Sequence, residues 1–226
     1  MFSNDKPFRD FSEYLSARFP YKVQKISINA GFTCPNRDGS KGLGGCTYCN
    51  NQSFSPGYGK PTKTITDQMV DGIQFFSRKY PDMKYLAYFQ SYTNTYDSIE
   101  SLTDKYEEAL SHPGVVGLIV GTRPDCMPDA LLDYFEALSK KTFVLVEYGV
   151  ESTLNKTLER VNRQHTYEES AEMIRKTAER DIPTGAHMIL GLPGETEEDI
   201  LNHAERLSEL PLKTLKLHQL QIIRYT

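Results

Sequence analysis

The stretch VQKISINAGFTCPNRDGSKGLGGCTYC, residues 23–49, passes from a short apolar run into a glycine-rich loop that carries three cysteines. Residues 23–28 read as a strand, with Val23, Ile26 and Ile28 as its apolar positions. Cys34 is followed by Pro35, and eleven residues separate it from Cys46, which with Thr47, Tyr48 and Cys49 makes a Cys-x-x-Cys pair. Gly39, Gly42, Gly44 and Gly45 lie in the gap and permit tight turns. A loop directly after the first strand of an α/β chain is a natural place for chemistry, because the C-terminal ends of parallel strands open onto one common face.

The rest of the chain supplies the strands that such a loop needs beside it. Residues 84–89, 115–121, 142–150, 184–190 and 214–220 are short apolar runs of the kind found in buried parallel strands. Amphipathic segments alternate with them. Ile65, Met69, Ile73 and Phe76 share a helical face, as do Ile99, Leu102, Tyr106 and Leu110. Pro128 opens a helix carrying Leu131, Leu132, Phe135 and Leu138. Segments 152–160, 167–180 and 196–209 complete the series, the last with an acidic first turn of Glu197, Glu198 and Asp199. A leading helix over 8–19 precedes the first strand. Six β–α repeats predict an α/β fold, a parallel sheet with outer helices, either open and doubly wound or curled into a barrel. The sequence stops just after the sixth strand with no following helix, so the domain is expected to be truncated at its C-terminus.

Composition sets the remaining bounds. A chain of 226 residues with 38% hydrophobic and 25% charged residues suits one globular unit. Four cysteines are too few for a disulfide framework, and the expected compartment is the reducing cytoplasm. No apolar run approaches the ~20 residues of a membrane span, and the N-terminus lacks a charged-then-apolar leader. A formal net charge of −4 argues against a dedicated nucleic-acid clamp.

Three thiolates can hold three irons of a [4Fe–4S] cluster and leave one iron open. They can also contribute to a structural zinc site, although no second Cys-x-x-Cys pair or neighbouring histidine completes the usual spacing. Further polar motifs fall at strand ends. Residues 89–96 (FQSYTNTY), 121–126 (GTRPDC) and 147–152 (EYGVES) each place polar groups there, yet each also reads as an ordinary loop with capping residues. Cys126 alone reads as a small buried hydrophobe. Residues 160–165 (RVNRQH) form a polar knot between two helices, equally readable as a solvated linker. His187 begins HMILGLPGE, in which Gly191 and Gly194 allow the backbone to approach a flat ring.

Taken in order, these motifs resemble the radical S-adenosylmethionine (SAM) superfamily. The aromatic Tyr48 before Cys49 is similar to its signature, while the long first gap is similar to the subgroup containing the elongator catalytic subunit. The set CPNRDG and YTNTY is similar to the YtqA/YhcC-type family. The resemblance implies a partial (β/α)6 radical SAM barrel over residues 23–226, preceded by a helical extension over 1–22. It implies Cys34, Cys46 and Cys49 as ligands of a [4Fe–4S] cluster whose open iron takes the methionine end of SAM. Tyr48 is then placed at the adenine, and Tyr92 and Thr93 at the methionine amine, where relatives carry glycines. Glu151 and Arg163 are placed at the ribose and carboxylate, and His187 at the adenosine. Replacing Arg163 is accordingly expected to spare the cluster. The implied activity is reductive cleavage of SAM to a 5′-deoxyadenosyl radical, fed by a flavodoxin- or ferredoxin-type electron donor. The implied substrate is the wobble uridine of tRNA. A small metabolite, or a non-catalytic zinc module, is the alternative.

Overall fold

The computed structural model describes residues 6–78 and 82–223. Residues 1–5 and 224–226, on which the expectations about a leader and a C-terminal truncation fall in part, lie outside the described residues. Six strands form one sheet in the order β1 to β6: Val23–Ile28, Lys84–Phe89, Val115–Thr122, Phe143–Glu151, Thr184–Leu190 and Thr214–Gln219. Every neighbouring pair is parallel. The sheet curls into a half-barrel with helices outside, and β1 and β6 form its two edges. Of the two architectures left open by the repeat pattern, the partial barrel is the one adopted.

The helices are α1 (Phe11–Ser16), α2 (Asn51–Phe54), α3 (Ile65–Ser77), α4 (Ile99–Leu110), α5 (Asp129–Ser139), α6 (Asn155–Arg160), α7 (Tyr167–Ala178) and α8 (Glu197–Ser208). Their starts follow from side chains that accept orphan backbone N–H groups: Thr64, Ser98, Thr166 and Thr196 cap α3, α4, α7 and α8. Thr166 with Glu169, and Thr196 with Asp199, close reciprocal capping boxes. Asp10 and Glu13 do the same for α1, which starts three residues later than its apolar pattern predicts. Pro128 stands immediately before α5 rather than inside it. The short α2, just past Cys49, has no apolar period and is invisible in the sequence.

Alternation along the strands separates two cores. Val144, Val146, Tyr148 and Val150 of β4 face outward and share one core with Leu102 and Tyr106 of α4, Leu131 and Phe135 of α5, and Ile174 of α7. Phe143 and Leu145 face inward and join Leu86, Tyr88 and Ile119. Leu15 of α1 enters this inner cluster, with Phe11, Tyr14 and Phe19 packed around it. The leading helix therefore plugs one end of the half-barrel. The other end, at the strand C-termini, is left to polar loops.

Candidate active site

The loop after β1 is built to hold its cysteines in place. Cys34 carbonyl accepts from the N–H groups of Arg37 (2.8 Å) and Asp38 (3.2 Å), which turns the chain back on itself. Asn36, fully buried, donates from Nδ2 to the Asn162 carbonyl at 2.5 Å and to Cys46 Sγ at 3.5 Å. Asn162 returns the contact, donating to the carbonyls of Gly45 (2.9 Å) and Leu43 (3.2 Å), and Thr47 N–H donates to the Val161 carbonyl at 3.1 Å. The polar knot at 160–165 is thus a clamp on the cysteine loop, not a solvated linker. Gly45 has φ +82°, and a Cβ there would stand 2.9 Å from Arg37 Nε, so this turn admits no side chain.

A cavity of about 400 Å³ opens at the strand C-termini, and Cys34, Cys46 and Cys49 all line it. So do Tyr48, Tyr92, Thr93, Glu151, Arg163 and His187. All nine residues singled out in the sequence therefore face one space, drawn from the loops after β1 and β2, from β4 and β5, and from the α6–α7 connection. Among the described residues no group of three His, Cys, Asp or Glu side chains is drawn together tightly enough to hold a single metal ion.

Each cysteine has an arginine as an electrostatic neighbour. Arg37 acts on Cys49 and Cys34, Arg123 on Cys34, and Arg163 on Cys46. Two sulfurs also face N–H donors: Arg163 Nη1 lies 3.7 Å from Cys46 Sγ, and Asn51 Nδ2 lies 3.3 Å from Cys49 Sγ. Donors aimed at sulfur stabilise added negative charge on any group bound to it. Arg163, which the motif pattern places at a ribose or carboxylate, instead spans Cys46 Sγ, the Gly149 carbonyl (2.6 Å) and Glu151 Oε1 (3.7 Å). A Cβ at Gly149 would come within 2.5 Å of Glu151 Oε1 and 2.7 Å of Arg163 Nη2, so a glycine is what lets this bridge form.

Tyr92 and Glu151 both adopt left-handed backbone, with φ of 64° and 69°. Non-glycine residues seldom do so, and such strain gathers at functional sites. Tyr92 thereby takes the conformation that a glycine would otherwise supply. Its N–H faces Asn51 Oδ1 at 3.4 Å, and Thr93 N–H bonds the Thr33 carbonyl at 3.2 Å, so this loop is tied to both ends of the cysteine motif. Tyr48 packs against Val161, Ile189 and Leu192, with Leu220 beside it. Ile189 and Leu220 also line the cavity, which makes an apolar seat for a flat ring.

The strand-end motif at 121–126 and His187 gain their partners only in the fold. Arg123 is buried and grips Asp125 with two bonds of 2.9 Å, while its Nη1 has no partner among the described residues. Burial pushes the Asp125 carboxyl up, but Arg123 and Lys41 outweigh it and hold the group well below the usual carboxylate range. Cys126, next in sequence, does not line the cavity; burial and the Asp125 charge push its thiol up to about 12, so it stays a protonated, inert group. His187 reaches inward rather than remaining a free ring: its Nε2 lies 2.8 Å from Glu147 Oε2, which also accepts from Tyr88 Oη at 2.7 Å.

Glu147 gives this interior layer a measurable signature. Burial pushes its carboxyl up, but the His187 hydrogen bond and charge, with Lys25 and Lys216 nearby, hold it down at about 2. A depressed folded value means its stabilisation is complete above the ordinary 4.5 and is lost as pH falls toward 2. The unfolding free energy of the wild-type chain should therefore drop more steeply across that window than that of Glu147→Gln. Denaturant titrations at stepped pH read the difference, and parallel curves would count against the ion-paired carboxylate.

The model for the Radical SAM superfamily matches residues 29–207, most of the chain. The chain belongs to the radical SAM superfamily. It is 38% identical over 215 residues to Protein YhcC of Escherichia coli (strain K12), a match covering 95% of this chain and 68% of that protein. A shorter match, 35% identical over 75 residues, joins 32% of the chain to 17% of the tRNA-2-methylthio-N(6)-dimethylallyladenosine synthase of Ehrlichia ruminantium (strain Welgevonden). Among solved structures, the Elp3 of Methanocaldococcus infernus superposes with a TM-score of 0.65 at 16% identity, over 91% of this chain and 47% of that one. This last likeness is one of fold. As a radical SAM enzyme the protein takes a [4Fe–4S] cluster and SAM, and needs a reductant. Among the described residues no helix is long and apolar enough to cross a membrane.

Proposed function

We propose that Cys34, Cys46 and Cys49 hold the [4Fe–4S] cluster and that the rest of the same cavity holds SAM. The observation that carries this is the convergence of three cysteines, each with an arginine as electrostatic neighbour, on one space that an apolar seat and Arg123 also line. A cluster anchored at three separate irons does not require its ligands to meet at a point, whereas zinc does, which favours the cluster over a zinc module. When bound, the pair supplies one-electron cleavage of the SAM sulfonium to a 5′-deoxyadenosyl radical.

The chain's own groups then have distinct tasks. Arg163 and Asn51 donate toward sulfur and favour the reduced state. Tyr48, Ile189 and Leu220 stack on the adenine and keep water from it. Arg123, which lines the cavity and is held by its bidentate pair with Asp125 while its Nη1 has no partner among the described residues, takes the methionine carboxylate. Glu151, set by its left-handed backbone, takes the ribose hydroxyls, and the strained Tyr92–Thr93 turn presents its backbone to the amine. Of the N-terminal extension over 1–22, the described part from residue 6 plugs the floor of the core, which runs from residue 23. The reductant is of the flavodoxin or ferredoxin type, which suits a cytoplasmic protein.

The substrate in this reading is a nucleoside of tRNA, the wobble uridine. Support comes from the sequence match to a tRNA-modifying synthase and from the motifs shared with the elongator catalytic subunit. Two measurements test the two levels separately. Anaerobic reconstitution should yield about four irons per chain with labile sulfide and dithionite-dependent release of 5′-deoxyadenosine; a colourless zinc protein would overturn the chemistry. A deletion strain should lack one modified wobble nucleoside in its tRNA digest, and an unchanged profile would remove the tRNA substrate while leaving the chemistry intact.

A further inference from the structure

Below the cavity, between its mouth and the α1 plug, the half-barrel interior is charged. Lys25 on β1 and Lys216 on β6 come from the two edge strands and meet over one side chain. Lys25 Nζ stands 4.7 Å from the Tyr88 ring centroid, and Lys216 Nζ stands 5.3 Å from it. Lys216 also donates to Tyr88 Oη at 3.1 Å, and Lys25 lies 4.5 Å from the Phe11 ring of the plug. Among the described residues neither ammonium has a carboxylate within 4 Å. The one carboxylate of the layer, Glu147, is already engaged by Tyr88 and His187. Two like charges held over one ring destabilise the empty fold, and a fold retains such a pairing where it has a use.

Both lysines and Tyr88 line a second cleft, larger than the first, that runs out between the edge strands toward α3. Asp71, the acidic residue at its outer end, is paired with Lys63. Phe54 and Gln90 border both the cleft and the cysteine-lined cavity, so a molecule in the cleft reaches the reaction space past those two side chains.

The geometry points to Lys25 and Lys216 as the recognition site for an oxyanion group, phosphate or carboxylate, carried by the substrate, which lies in the seam between β1 and β6 with its reacting end at Phe54 and Gln90. This rests on the reading that the neighbouring cavity holds the radical chemistry, but not on the substrate being tRNA. The anion would sit between two cations from opposite edges of the sheet and close the open seam electrostatically, with Tyr88 as the platform under it. Burial pushes the Lys216 ammonium down and Lys25 adds to the fall, while the charges of Glu147 and Glu151 oppose it without reversing it.

Calorimetric titration of the full chain tests this with two probes, methyl phosphate and acetate, at constant ionic strength against a chloride control. One or both should bind, and the tighter names the group. Lys25→Gln and Lys216→Gln should each weaken binding by about tenfold or more. Lys216→Arg should retain it, and Glu147→Gln, which removes the competing negative charge, should tighten it. Binding no better than chloride, or affinities untouched by both glutamine variants, would overturn the site. The readout needs neither cluster nor SAM, so its failure leaves the proposed chemistry standing, and an unchanged tRNA profile leaves this site standing.

Discussion

Cys46→Ala is expected to leave a folded protein that assembles no [4Fe–4S] cluster and releases no 5′-deoxyadenosine. Cys46 is the most enclosed of the three cavity cysteines, at 7% exposure, and two N–H donors face its sulfur. Removing it leaves two protein ligands for a cube that already lacks a fourth, and labile iron is lost. Iron should fall from about four per chain to background after anaerobic reconstitution. The fold should survive, because one small side chain at the mouth of the barrel is removed while the Asn36–Asn162 clamp on the loop remains. The stability cost is about 1 kcal/mol, or roughly 2–4 °C in melting temperature for a domain of this size. Cys126→Ala is the internal control. Its thiol is half-buried and does not line the cavity, so iron content and deoxyadenosine release should match the wild type. Full iron and activity in Cys46→Ala, or loss of both in Cys126→Ala alone, would show the ligand set to be wrong.

Arg163→Met is expected to lower both the reduction potential of the reconstituted cluster and the stability of the chain. The guanidinium is buried and joins three elements: Cys46 from the first loop, Gly149 carbonyl and Glu151 from β4. A methionine fills the stem volume but leaves Glu151 and a backbone carbonyl without their partner. Breaking a buried ion pair from one side costs about 3 kcal/mol, equivalent to roughly 6–12 °C in melting temperature here. Loss of a positive donor at the sulfur disfavours the added electron, so the potential moves to more negative values and SAM cleavage slows. Arg163→Lys keeps the charge but not the fork, and should recover part of the potential and little of the stability. Electron paramagnetic resonance under a redox titration reads the first effect and thermal unfolding reads the second. On this reading Arg163 acts on the cluster as well as on SAM, whereas the motif pattern alone expects the cluster to be spared. A wild-type potential in Arg163→Met would restore that expectation.

The order of elements was legible because it is written locally. Each strand is an apolar run and each helix a periodic stripe, and the observed limits of β1, β2 and β5 coincide with the predicted ones. Where limits shift, the ladder decides: β3 gains Thr122 and β4 gains Glu151 because pairing with their neighbours continues to those residues. The short α2 was not legible because a single turn carries no period, and the clamp that the 160–165 knot puts on the cysteine loop was not legible because its partners lie over a hundred residues away.

The sequence by itself determined that this is a six-repeat α/β protein, that three cysteines and six further residues belong together, and that SAM chemistry is their common theme. The repeats follow from periodicity, a property of short segments, whereas the grouping of the nine residues and the SAM chemistry are what the resemblance carried by the motifs implies. Only the tertiary structure decided that Arg163 serves Cys46, that Tyr92 supplies a glycine-like turn, and that Lys25 and Lys216 meet over Tyr88. Parallel strands bring residues from distant repeats to the same height of one barrel, and the curl of the sheet chooses which of them face each other. That choice depends on the packing of the whole chain and leaves no trace in any one segment.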